Sequence, residues 1–139
     1  EIMRSHHCGS VEDGTLTVTE DADRYTLWMD PCGSGGRMRR GDPVDGTPSR
    51  LGPPYDFGVT SKAYAWSWGM KNVPYYCLHC ANMEILPIEW GDAPLWVTEY
   101  TDDADKPCAW HFYKSPERIP QSYYARLGRT GPGPRVGRE

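Results

Sequence analysis

The chain has little phenylalanine, an odd number of cysteines and no long apolar run. Two phenylalanines stand against six tryptophans and nine tyrosines, so most of its large side chains also carry a polar group. Five cysteines exclude a fully paired disulfide framework within one chain, which favours a reducing, cytoplasmic compartment and metal or thiol chemistry. No segment reaches the length of a membrane span and no secretory signal is visible, so we expect no membrane partner.

The motifs of several common enzyme classes are also missing. No Ser-His-Asp, His-Glu-x-x-His or nucleotide-binding pattern appears in the sequence. The acidic run 102–105 lacks the glycine and the distal glutamate of a calcium-binding EF-hand loop. The cysteines are therefore the most informative residues that remain.

Four of the cysteines occur in patterns typical of metal ligands. Cys8-Gly-Ser and Cys32-Gly-Ser repeat one another, and Cys77 and Cys80 form a C-x-x-C pair. A glycine directly after a cysteine can take the positive φ that folds the backbone around a sulfur. Four thiolates complete a tetrahedral zinc site, and they also suit iron or an iron–sulfur cluster. The sequence predicts a metal site at Cys8, Cys32, Cys77 and Cys80, with zinc as the expected ion.

Histidines near these cysteines leave the nature of the site open. His6, His7 and His79 are close in sequence to the proposed ligands, and any of them is an alternative ligand. A site with one position left to water would support a metal-dependent hydrolase or lyase, with Glu84 or Glu89 transferring protons. A site closed by four thiolates would be structural.

The C-x-x-C pair also permits a third interpretation. His79 lies between Cys77 and Cys80, and a histidine at that place lowers the pKa of the first cysteine in disulfide oxidoreductases. The preceding residues do not form the buried strand of a βαβ unit, which that class would require. A thiol–disulfide protein using these two cysteines therefore remains as a further alternative.

The length of 139 residues fits a single domain, and the 15 glycines and 13 prolines predict many loops. We expect a metal-stapled α+β domain over 1–127 and a Gly/Pro/Arg-rich tail over 128–139. The chain opens with Glu1 rather than Met, which suggests a fragment or processed form that lacks an N-terminal partner segment. A homo-oligomer, or docking of the tail to a larger assembly, are further expectations.

Alternation of apolar and polar residues predicts two antiparallel hairpins, over 15–29 and 95–113. An extra strand is predicted over 63–70, where aromatic residues alternate with small ones. The segment 33–62 is expected to be irregular. One helix should follow the C-x-x-C over 81–86 and end or kink at Pro87, and a C-terminal helix is predicted within 115–127.

Aromatic and basic residues together suggest a pocket for a small organic ligand. Tryptophan and tyrosine suit partly wet pockets, and arginines beside a glycine-rich turn suit a carboxylate or phosphate. The anion contacts proposed are Arg37, Arg39 and Arg40. The aromatic lining proposed is Trp66, Trp68, Tyr75, Tyr76, Trp90 and Trp96.

The formal charge of −4 does not favour nucleic-acid binding. Residues 114–139 carry six basic and two acidic side chains, on an otherwise acidic chain. Basic residues scattered among glycine and proline are typical of a solvated terminus rather than a nucleic-acid surface.

The order of features over 77–112 resembles the C-terminal half of one known family. It runs as cysteine, helix, glycine, a strand with Glu99, an acidic loop, Pro-Cys108 and a strand. This is similar to the 4-vinyl reductase type of small-molecule-binding domain, found in phenol-sensing activators. The resemblance implies zinc beside an aromatic-lined pocket, held here by Cys77 or Cys80, Glu99 and Cys108. A family cysteine expected between Glu99 and Cys108 is absent from this chain.

Overall fold

A four-stranded antiparallel sheet in the order β1-β2-β4-β3 forms the centre of the protein. The computed structural model describes residues 16–30, 32–42, 46–91 and 93–132. The strands are β1 (Leu16–Glu20), β2 (Arg24–Met29), β3 (Val97–Glu99) and β4 (Cys108–Tyr113). The helices are α1 (Gly35–Arg40), α2 (Leu78–Gly91) and α3 (Gln121–Ala125). The predicted α+β class is confirmed.

Both predicted hairpins are present, and they join into one sheet. At the first turn the Asp21 carboxylate accepts hydrogen bonds from the backbone N–H groups of Asp23 (2.8 Å) and Arg24 (2.9 Å). Strand β4 pairs with β3 on one side and with β2 on the other. This second pairing places Met29 opposite Cys108, at the end of β2 that leads to Cys32.

The two faces of the sheet carry different residues because side chains alternate along a strand. Leu27 and Trp110 are paired and share one face with Met29 and Cys108. On the other face Thr26 is opposite His111, and the threonine Oγ1 lies 2.9 Å from the histidine Nδ1. The cysteine at the start of β4 and the histidine within it therefore belong to opposite sides of the sheet.

The prediction of an extra strand over 63–70 is wrong. The chain there forms a 3-10 turn, Ala65–Ser67, followed by Trp68 with φ of 54° and Gly69 with φ of 71°. The Ser67 hydroxyl donates to the carbonyl oxygen of Met70 at 2.6 Å, and its oxygen accepts from the Tyr64 N–H at 3.1 Å. Local hydrogen bonding of a serine thus overrides the strand preference of the aromatic residues.

The segment 33–62 was expected to be irregular, but it contains the short helix α1. Two of its six residues are Gly35 and Gly36, which disfavour helix and conceal it in the sequence. Both glycines are buried. Tertiary packing rather than local preference therefore accounts for the helix.

The other two predicted helices exist with different bounds. Helix α2 begins at Leu78 and continues through Pro87 to Gly91, so Pro87 does not end it. The C-terminal helix expected within 115–127 is divided into a 3-10 turn, Pro116–Arg118, and the short α3. Pro120 separates the two, because a residue before proline avoids the helical region and Ile119 is extended.

Two clusters of buried side chains meet beside helix α2. The larger cluster contains Cys77, and the smaller consists of Met29, Cys32, Cys108 and Trp110. Cys80 packs against both clusters. None of the helices in the described residues is long and apolar enough to cross a membrane.

Candidate functional site

Four cysteines from three separate chain segments line one small cavity. Cys32 follows β2, Cys77 ends the 3-10 turn Tyr75–Cys77, Cys80 lies in the first turn of α2, and Cys108 begins β4. All four are free thiols, and all but Cys80 are buried. The cavity has a volume of about 20 Å³. That is room for about one water molecule or one ion, and not for an organic molecule.

The backbone of helix α1 packs directly against the sulfur of Cys77. A Cβ atom added to Gly35 would lie 2.6 Å from the Cys77 Sγ, and one added to Gly36 would lie 2.9 Å from the Cys32 Cβ. The two glycines are therefore needed where the helix backbone reaches the cysteines. Gly33 does not take the positive φ that the Cys-Gly pattern suggested. Instead the Cys32 carbonyl accepts from the Arg37 N–H (2.9 Å) and the Arg40 Nη1 (3.0 Å).

The C-x-x-C pair straddles the start of helix α2, because the helix begins at Leu78, three residues before the predicted start. His79 is exposed and borders the cavity, with its Nδ1 2.7 Å from the carbonyl oxygen of Tyr76. A carbonyl only accepts, so Nδ1 carries the proton and Nε2 is the atom with a free lone pair. Nε2 lies 3.4 Å from the Cys80 Sγ. The indole N–H of Trp110 also points at this sulfur.

Cys108 completes the cavity from the side of the sheet. Its sulfur receives the backbone N–H of Thr101 and lies beside the guanidinium of Arg39. In the sequence, only Pro107 before it and the family resemblance single out this cysteine. Its position beside Cys32 follows from the pairing of β4 with β2, which the sequence does not show.

Burial raises the pKa of three of these thiols. The pKa of Cys77 rises to about 12, and those of Cys80 and Cys108 rise as well, because an apolar site penalises the thiolate. Arg39 opposes the shift at Cys77 and at Cys108. The raised pKa values favour the protonated form of these thiols at neutral pH.

Arg39 is the cation of the site. It is 6% exposed, and its Nη1 donates to the Tyr100 hydroxyl (3.3 Å) and the Thr101 carbonyl (2.8 Å). Its Nε and Nη2 atoms are buried and meet no hydrogen-bond acceptor within the described part of the chain. No carboxylate in that part lies within ion-pair distance of Arg39. Negative charge placed beside a buried guanidinium without a carboxylate would be stabilised by it, and the thiols of Cys77 and Cys108 are the ionisable groups there.

The thiols are not arranged as a formed metal site. Across the described ranges, no three His, Cys, Asp or Glu side chains are grouped closely enough to hold a metal ion. The structure thus brings Cys32, Cys77, Cys80 and Cys108 to one cavity, but their side chains are not grouped tightly enough to ligate one ion.

The remaining predicted ligands are placed as follows. Cys8, His6 and His7 lie outside the described residues. Glu99 accepts from the Tyr123 hydroxyl and lies 3.8 Å from the His111 Nε2. It pairs with Ala109, on the face of the sheet opposite Cys108. The structure therefore separates Glu99 from the three cysteines with which the family resemblance grouped it.

The two glutamates considered for proton transfer contact other groups. Glu84 is fully buried and accepts from the Trp68 Nε1 (2.8 Å), the Thr98 N–H (3.0 Å) and the Arg126 Nη2 (2.9 Å). Arg126 also donates to the Thr98 carbonyl at 2.8 Å. This pair thus satisfies the backbone of edge strand β3 in place of a neighbouring strand. Glu89 pairs with Arg129 at the surface.

The three arginines proposed as anion contacts point to different partners. Arg37 Nε lies 3.2 Å from Asp42 Oδ2, Arg39 faces the thiols, and Arg40 donates to backbone carbonyls. The role of Arg39 in the cysteine cavity, together with Tyr100 above it, was missed by sequence reasoning. A run of arginines after a glycine-rich turn gives no signal of which one is buried.

The six aromatic residues proposed as a ligand lining are distributed over the molecule. Trp68 lines the cysteine cavity and Tyr76 lines a separate surface cleft. The others are exposed or packed on neighbouring rings: Trp66 on Tyr64, Trp96 on Trp110, and Tyr75 and Trp90 at the surface. Their role in ligand binding stays a prediction.

Comparisons of the chain with known protein families, with curated proteins and with solved structures find no match.

Proposed function

We propose that the protein binds a zinc ion through the thiolates of Cys32, Cys77, Cys80 and Cys108, and that the ion fixes the loops around it. The observation that carries the proposal is the convergence of four free thiols on one ion-sized cavity. Four thiolates are the commonest ligand set of structural zinc, at Zn–S distances of about 2.3 Å.

The charges of the cavity support this assignment. Zinc with four thiolates carries a net charge of about −2. Arg39 is buried there without a carboxylate partner in the described part of the chain, so it balances part of that charge. The raised thiol pKa values mean that zinc must displace protons as it binds, which is typical of thiolate sites.

Metal binding requires a small rearrangement of the thiols. They lie around the cavity but are not grouped tightly enough to ligate an ion as they stand. The ion must therefore draw the sulfurs inward as the protons leave. Coupling of metal binding to ordering is expected for loop-rich domains of this size.

The test is the zinc content of the full chain, purified without added metal and without an affinity tag, together with single Cys→Ser variants. We expect one zinc per chain in the parent protein and its loss in Cys108→Ser. Cys8→Ser is the matched control, because Cys8 is the competing fourth ligand. Retention of zinc in Cys108→Ser and its loss in Cys8→Ser would show that Cys8, and not Cys108, is the fourth ligand. Absence of bound metal would refute the proposal.

One contact favours a second candidate, the thiol–disulfide function of Cys77 and Cys80. The His79 Nε2 lies 3.4 Å from the Cys80 Sγ, where it can accept the thiol proton. Against this candidate, reactive thiols of that class have lowered pKa values, whereas burial raises the pKa of both cysteines here. Alkylation rates of the thiols at neutral pH separate the two functions, because a redox pair would react quickly at one cysteine.

A further inference from the structure

A surface cleft with a volume of about 230 Å³ lies next to the cysteine cavity. It is lined by residues from three segments, chiefly Ser34 and Arg37, Arg50 and Phe57, and Tyr76. Ser34 borders both the cleft and the cysteine cavity. We infer that this cleft binds a small aromatic ring that bears a carboxylate.

Backbone hydrogen bonds hold the walls of the cleft in place. The Arg50 N–H donates to the Met38 carbonyl at 2.9 Å, which ties this segment to helix α1. The Phe57 N–H donates to the Arg50 carbonyl at 2.8 Å. The cleft is therefore formed before any ligand enters, which lowers the entropic cost of binding.

The cleft has an excess of positive charge. Arg37 is held through its Nε by Asp42, at 3.2 Å. Arg50 lies over the ring of Tyr55, at 5.7 Å, and no carboxylate in the described ranges is within ion-pair distance of it. Two guanidinium groups thus share one carboxylate. The planar fork of arginine matches a ligand carboxylate with two parallel hydrogen bonds.

The same cleft offers aromatic surface and a hydroxyl. Phe57 and Tyr76 are each 46% exposed, so both rings keep surface that a ligand ring can cover. The Ser34 hydroxyl donates to the Tyr76 hydroxyl oxygen at 3.1 Å. This leaves the Tyr76 hydrogen free to donate to a ligand oxygen. Positive charge and aromatic faces within one small cleft select an aromatic anion over a purely apolar or purely ionic ligand.

The experiment uses the full chain as purified, with benzoate as the probe and benzyl alcohol as the neutral analogue, titrated by calorimetry and by amide chemical shifts. We expect saturable benzoate binding with a Kd of about 1 mM or tighter, shifts at Ser34 and Phe57, and binding of benzyl alcohol at least tenfold weaker. Zinc content is measured on the same samples. The benzoate site uses no thiol, so failure of the cleft and failure of the zinc proposal are distinguishable.

Variants identify the residues responsible. Arg50→Gln should weaken benzoate binding at least tenfold, because it removes the guanidinium that has no carboxylate partner among the described residues. Arg118→Gln is the matched control, since Arg118 pairs with Asp23 at the turn between β1 and β2, does not line the cleft and should leave binding unchanged. Three results would overturn the inference. They are benzoate binding that does not saturate at a concentration tenfold above the expected Kd of about 1 mM, equal binding of benzoate and benzyl alcohol, and unchanged benzoate binding in Arg50→Gln.

Discussion

The close approach of helix α1 to Cys77 makes Gly35→Ala the most informative single substitution. The new Cβ would lie 2.6 Å from the Cys77 Sγ and 3.7 Å from the Tyr76 Cδ1. Relief of the first contact requires a shift of about 1 Å, because non-bonded heavy atoms prefer about 3.5–4.0 Å. The helix backbone and the buried thiol must share this movement, and the thiol is the group that the zinc proposal places on the ion.

The expected change in the free energy of unfolding of Gly35→Ala follows from two opposing effects. Overfilling a packed site costs about 1–3 kcal/mol. Alanine in place of glycine stabilises a helix interior by about 0.5–1 kcal/mol, which is an upper bound here because Gly35 is the first residue of α1. We expect a net loss of about 1–2 kcal/mol in the free energy of unfolding. Urea denaturation followed by tryptophan fluorescence measures this quantity. Zinc retention should fall together with stability.

Gly91→Ala is the matched control, because Gly91 also lies in a helix but an added Cβ there meets nothing within 4 Å. This control should be neutral or slightly stabilising. A Gly35→Ala protein that is as stable as Gly91→Ala and holds as much zinc would contradict the predicted clash with Cys77.

Three further predictions concern buried polar groups. Glu84→Gln breaks the buried ion pair with Arg126 and should lower the free energy of unfolding, measured by urea denaturation, by about 3 kcal/mol. Glu89→Gln, at the exposed end of the same helix, should lower it by about 0.5 kcal/mol or less. Equal effects would contradict the role of Glu84. Burial lowers the pKa of His111 below 6.5, so the unfolded chain takes up a proton that the folded chain does not. Stability should therefore fall as pH drops below about 6.5, and His111→Gln should flatten that part of the profile; an unchanged profile would exclude His111 as the cause. Arg39→Met should speed zinc release to a chelator about tenfold, and an unchanged rate would show that its charge does not stabilise the thiolates.

The parts of the fold that could be predicted are those with a local pattern. The alternation in Arg24–Met29 and Cys108–Tyr113 predicts strands, and the structure contains them. The residues that follow the C-x-x-C also predict a helix from their local sequence alone. Helix α1 was not predictable, because Gly35 and Gly36 disfavour helix and only their packing against Cys77 and Cys32 requires them.

The composition of the cysteine cavity depends on a long-range feature. Cys108 reaches Cys32 because β4 inserts between β2 and β3, opposite Met29. Two predicted hairpins can combine into a sheet in several orders, so the sequence prediction followed the local Cys-Gly-Ser motif and named Cys8 as the fourth ligand. Cys8 lies outside the described residues, and Cys108 lines the cavity. The family resemblance included Cys108 but also Glu99, which the structure places on the other face of the sheet.

The most direct test of the zinc proposal is zinc X-ray absorption spectroscopy of the protein as purified, combined with elemental analysis. We expect one zinc per chain with four sulfur neighbours at about 2.3 Å and no nitrogen or oxygen neighbour. A nitrogen or oxygen neighbour in the zinc coordination shell would indicate an open site, of the kind that a metal-dependent enzyme needs, instead of a site closed by four thiolates. A protein without bound metal, with all thiols free to react, would contradict the account.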